Sequence, residues 1–111
     1  MKNLKTEIEK SAKQNPYGFT VDLTTLKKVK KGFVSAYKET QDSFGSDGLE
    51  KVLKHAIEHG NTAGGWLNDE NGLFCYDSVK VFENENDCIE FGKENEQIAI
   101  FDIENLRVVK L

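Results

Sequence analysis

Apolar residues along this chain change period several times, and each change marks an element. Leu4, Ile8 and Ala12 recur at i, i+4 and i+8, which predicts a short helix over 3–14. Its stripe is one residue wide, so the helix is expected to pack lightly as a unit of its own (1–15). Asn15-Pro16 closes it, because the residue before proline avoids helical geometry. Residues 18–24 alternate, with Phe19, Val21 and Leu23 on one side and Thr20, Asp22 and Thr24 on the other, as in a half-buried strand. Residues 32–38 alternate again, Phe33 and Tyr37 against Val34 and Ala36, and the lysine-rich link between suggests a hairpin with a basic tip.

The strongest helical signal follows a polar loop. Leu49, Val52, Leu53, Ala56 and Ile57 form a full core-facing stripe over about 47–59. Asp47 and Glu50 have capping-box spacing, and Gly60 offers a left-handed stop. Gly64 to Leu67 reads as a short strand, and Asn68-Asp69-Glu70-Asn71-Gly72 as a tight turn. Residues 73–82 return as a long strand, interrupted at Asp77-Ser78 by a bulge or an edge. A short acidic helix over 86–95 turns Cys88, Ile89 and Phe91 inward, with an asparagine cap at either end, Asn84 or Asn86 first and then Asn95. Residues 97–103 are apolar on both faces, as in a central strand, and 106–111 hairpins back. The order α-β-β-α-β-β-α-β-β predicts a single α+β domain over 16–111, with a mostly antiparallel sheet and helices packed on one face.

Composition adds little to this picture except through charge. The 111 residues suit one modest core. Net charge is −4, yet residues 1–56 carry +4 and residues 57–111 carry −8. Overall acidity disfavours non-specific nucleic-acid binding, although local basic patches remain. No run approaches a membrane span and no apolar stretch follows the charged N-terminus, so a cytoplasmic protein is expected. Cys75 and Cys88 lack metal-site spacing and sit in apolar patterns, as two reduced, packed thiols do.

Several constellations bear on chemistry. His55-Ala56-Ile57-Glu58-His59 has an inverted zinc-peptidase spacing, but helical geometry sets Glu58 opposite the apolar stripe and His55 off it. A solvent-facing pair is expected, with no metal and no cofactor. Lys27, Lys28, Lys30 and Lys31 suit a phosphate or an acidic partner, and equally a solvated tip that discourages strand pairing. Gly64, Gly65 and Trp66, with Tyr76 and Asp77, are the candidate binding residues. Glycines let a ligand approach, tryptophan brings a large amphipathic surface, and Asp77 breaks an otherwise apolar strand. The same residues also suit a core tryptophan beside a bend. Glu83, Glu85, Asp87, Glu90, Glu94 and Glu96 form an acidic stretch able to attract a basic protein site. Ser35 and Tyr37 carry hydroxyls without a histidine nearby in sequence.

Gly64-Gly65-Trp66, Tyr76-Asp77-Ser78-Val79 and Gln97 to Asp102 form an ordered set, preceded by Phe19-Thr20-Val21 and Gly32-Phe33-Val34-Ser35. Over residues 16–111 the set resembles uncharacterised domains carried by phages and conjugative elements of bacteria. The resemblance implies a setting and no activity. The expected function is a non-enzymatic domain binding an unidentified protein partner through the Trp66/Tyr76 region or the acidic helix. The alternative is a small metal-independent ribonuclease-like enzyme, with the lysines at 27–31 holding phosphate and His55, Tyr37 or Asp77 acting on a 2′-hydroxyl.

Overall fold

A computed structural model describes residues 2–68 and 70–111, with side chains from Leu4 on; Asp69 of the expected turn lies outside the described residues. The helices are α1 (Lys2–Gln14), α2 (Gly45–Glu58) and α3 (Glu85–Glu94). The strands are β1 (Gly18–Asp22), β2 (Phe33–Ala36), β3 (Ser43–Phe44), β4 (Thr62–Asn68), β5 (Leu73–Phe82), β6 (Ala99–Asp102) and β7 (Arg107–Lys110). All pair antiparallel in one sheet, in the order β1-β4-β5-β2-β6-β7. The fold is α+β, as the alternation of strand and helix patterns predicts.

β5 organises the sheet. Its ten residues give one edge to β4, while the other takes β2 at Val79–Phe82 and the short β3 at Cys75–Tyr76. Register with β4 runs unbroken through Gly64↔Asp77 and Ala63↔Ser78, so Asp77-Ser78 is neither a bulge nor an edge. β6 lies between β2 and β7 as expected of a doubly apolar strand, but it is shorter than the pattern, and Ile98 is exposed.

The expected β1–β2 hairpin does not form. β1 pairs with β4 instead, and residues 23–31 fold back along the outer edge of β1. Val21 bridges to Lys28, and the Val29 amide donates to the Thr20 carbonyl at 2.9 Å. One reason lies in the aromatic side chains of β1 and β5. Phe19 and Phe74 stack with ring centroids 5.9 Å apart across Gly65, which only β4 can supply. A Cβ at Gly65 would stand 2.5 Å from both rings.

All three helices pack on one face. α2 lies over β4 and β5, α3 over β2, β5 and β6, and α1 against α2 and β1. Val21, Leu49, Val52, Leu53, Ala56, Ala63 and Tyr76 form the core between α2 and the sheet. The narrow stripe of α1 drives Ile8 fully into that core, with Leu4 and Ala12 partly buried beside it. The capping box at α2 is absent. Phe44 is the N-cap without a side-chain bond, and Glu50 is drawn away to Lys5 and Lys54. Asp47 sits in the first turn, where its charge suits the helix dipole. The left-handed residue after α2 is Asn61 (φ 52), whose amide donates to the Ala56 carbonyl. Gly60 answers a different need, since a Cβ there would meet the Val79 carbonyl at 2.6 Å. Ile57 ends up largely exposed. α3 is capped as expected: Asn84 accepts from the amides of Asn86 and Asp87. Both cysteines are buried and free.

Gly65 offers a direct check on the aromatic closure. An alanine in a strand ordinarily gains stability over glycine through lower unfolded-state entropy. Here Gly65→Ala is expected to cost about 1–3 kcal/mol in urea unfolding, because it overpacks the Phe19–Phe74 stack. Unchanged or increased stability would contradict that packing.

Candidate functional site

Strand alternation divides the sheet into two unlike faces. Residues paired across neighbouring strands share a face, so Thr20, Gly64 and Asp77 form one row. Gly18, Trp66 and Cys75 form the row beside it, and Thr62, Val79 and Ala36 the row on the other side. These rows, with Val34 and Phe101, point away from the helices. Of these residues, all but Thr62 and Cys75 line a groove of about 790 Å³.

The groove is unequal along its length. From β2 to β7 its lining is Val34, Ala36, Ala99, Phe101 and Val108. From β1 to β5 it is notched, because Gly64 carries no side chain between Thr20 and Asp77. Trp66 is 42% exposed at the wall of this notch, and its indole Nε1 donates to Asp77 Oδ2 at 2.9 Å. Burial pushes the Asp77 carboxyl up to about 6; the indole N–H pulls it down and the nearby charge of Asp42 pushes it further up. The charged form is therefore held in a place that disfavours it.

The structure brings together four of the five candidate binding residues. Gly64, Gly65, Trp66 and Asp77 line the groove. Tyr76 does not join them; strand alternation turns it into the helix-side core, where it meets Phe74 edge-on at 5.5 Å. Of the lysines, Lys28 reaches the groove rim and its Nζ donates to Asn15 Oδ1; Lys27, Lys30 and Lys31 are exposed on the segment beyond β1. The acidic α3 lies in the helix layer, on the opposite face, where Glu85 pairs with Arg107.

His55 is not the solvent-facing residue its helical angle suggests. Its side chain is only 13% exposed, its Nδ1 lies 2.7 Å from Ser78 Oγ and its Nε2 lies 3.2 Å from Glu39 Oε1. Glu39, an acceptor, takes the Nε2–H of His55, and the Ser78 hydroxyl, which can both donate and accept, serves Nδ1. His59 stacks flat on His55 at 3.8 Å, and Tyr37 meets both rings. The serine–histidine–carboxylate chain has the members of a hydrolytic triad without its access: Ser78 is completely buried. No group of three potential metal ligands occurs among the described residues. Ser35 is buried on the same face, and its hydroxyl has no hydrogen-bond partner among the described residues.

Sequence reasoning missed Ser78, Glu39 and Thr40, which meet His55 and one another only through the fold. It also missed the apolar half of the groove. The available signal was the double-faced apolar character of 73–82 and 97–103, since helices packed on one side leave the other apolar face without a helix over it. No family model matches the chain, and no curated protein or solved structure matches it either. Among the described residues, no helix is long and apolar enough to cross a membrane.

Asp77 gives a pH signature. Because its folded pKa lies above its ordinary value of 3.8, the folded state binds more protons between about pH 4 and 6. The contribution of Asp77 to stability therefore falls as pH rises through that window. Asp77→Asn keeps an acceptor for the indole and removes the charge. It is expected to flatten this slope and raise stability at pH 7.5 by on the order of 1–3 kcal/mol, measured by urea unfolding. An identical pH profile in both proteins would contradict a desolvated Asp77.

Proposed function

We propose that this protein is a non-catalytic protein-interaction domain, and that the helix-free sheet face is where its partner docks. The observation that carries this reading is an apolar groove on the side of the sheet that no helix covers. Monomeric proteins seldom leave contiguous apolar surface bare without using it. The partner shape follows from the strands. Each contributes one or two residues to the floor, while six strands at about 4.8 Å spacing span roughly 24 Å. A long, narrow trough of this kind suits an α-helix of about 16 residues lying across the strands with its apolar face inward. A host protein or a product of the same mobile element is the source that the resemblance of the Gly64-Gly65-Trp66 and Tyr76-Asp77-Ser78-Val79 motifs supports.

The ribonuclease-like reading retains one observation in its favour, the meeting of Tyr37, His55 and His59. Its parts are poorly matched. The lysines meant to hold phosphate run beyond β1, whereas His55 bonds to β5, with β4 between them.

Selection from a displayed library of amphipathic helices tests the proposal. Wild-type protein is expected to enrich a helix that Ala36→Arg, a groove-floor change, no longer retains. An Ile57→Arg control on the outer side of α2 should retain it. Enrichment that survives Ala36→Arg, or no enrichment at all, would sink the docking reading.

A further inference from the structure

Resting on the groove as the docking face, we propose that the Thr20–Gly64–Asp77 notch is a socket for a basic side chain, a lysine or arginine of the partner helix. The partner's apolar stripe would then lie over Val34, Ala36 and Phe101.

Geometry supplies the first reason. Gly64 removes the only side chain between Thr20 and Asp77, two strands apart, so the notch floor is bare backbone. A Cβ at Gly64 would make ordinary contacts, 3.4 Å to Val79 and 3.5 Å to the Phe19 carbonyl. Local packing therefore leaves room for a larger residue. A small residue there leaves open the space in which a long side chain would lie.

Charge supplies the second. Asp77 is the acidic residue of the groove lining, and Asp42 adds negative potential nearby. The basic residue of the lining, Lys28, is turned to Asn15, and among the described residues Asp77 has no ion-pair partner. The indole N–H occupies Oδ2 and orients the carboxylate, while Oδ1 is left for a second donor. A desolvated anion with one fixed hydrogen bond gains most from a cation that brings its own donors.

The aromatic wall supplies the third. Trp66 is half-exposed beside Asp77, and an indole face attracts ammonium and guanidinium groups while its body packs their methylene stem. Carboxylate, indole and open floor together form a site for a cation on an apolar stem. An anionic or neutral polar group would leave the carboxylate repelled or unpaired.

The lone tryptophan and the amides of Gly64 and Gly65 report on this site directly. The probes are 2-phenylethylamine, its neutral isostere 2-phenylethanol, and 3-phenylpropionate, titrated at pH 7.5 with Trp66 fluorescence and amide shifts as readouts. The amine is expected to bind about tenfold tighter than the alcohol. The carboxylate should not bind. Asp77→Asn should bring amine and alcohol to within about twofold of each other. If alcohol and amine bind the groove equally in the wild type, the socket is wrong and apolar docking stands. If no probe moves any groove resonance, both readings fall. A helix binding the groove without a basic residue would overturn the socket alone.

Discussion

Three short helices can cover only one side of a seven-stranded sheet, and here all three cover the same side. The rest of the structure depends on that constraint. The covered face needs a dense core, which Leu49, Val52, Leu53 and Ala56 of α2 and Ile8 of α1 supply against Val21, Ala63 and Tyr76. The other face keeps its apolar residues, Val34, Ala36, Val79 and Phe101, along a groove, with no helix of the described residues packed over them. Val34 and Val79 are buried and Ala36 and Phe101 half-buried, so this face is a groove and not a flat patch. Function is read from the face that packing leaves unfinished.

The two faces also separate two kinds of polar cluster. Beneath α2, His55 joins Ser78 and Glu39, and the Ser78 amide bonds the Thr40 hydroxyl at 3.0 Å. Every partner there is protein, so the network ties helix, sheet and the turn after β2 together. On the open face Asp77 has, among the described residues, the Trp66 indole as its hydrogen-bond partner, and keeps a raised pKa. Adjacent residues of one strand thus do opposite things, because strand alternation sends Ser78 into the core and Asp77 into the groove. Ser78, the hydroxyl of the constellation with the residues of an active site, is sealed, and Asp77, the charged residue in the apolar pattern of β5, faces the groove.

Much of the fold was legible in the chain, and the losses have physical causes. Local periodicity predicted α2, β5, α3 and the β6–β7 hairpin, since each rests on neighbours in sequence, and it left the α3 cap between Asn84 and Asn86, of which Asn84 takes the role. The β1–β2 hairpin failed because strand partners are chosen over distance: Gly65 lets Phe19 and Phe74 close across β4, and no local pattern reveals that stack. The capping box failed because Glu50 found lysines instead. At the site, Trp66, Gly64 and Asp77 stood out as irregular residues and do line one notch. Tyr76 was grouped with them by sequence nearness and parted from them by alternation. The apolar half of the groove was hidden in strands that read equally well as buried on both sides.

The claim on which this account depends is that the helix-free face is open in the free protein. The most direct measurement is the relaxation that a soluble nitroxide induces in methyl resonances, since four alanines report on both faces. The account predicts strong broadening of Ala36 and Ala99 in the groove and none of Ala56 and Ala63 in the core. Protection of Ala36 and Ala99 equal to that of the core pair would contradict it, because the face would then be covered already.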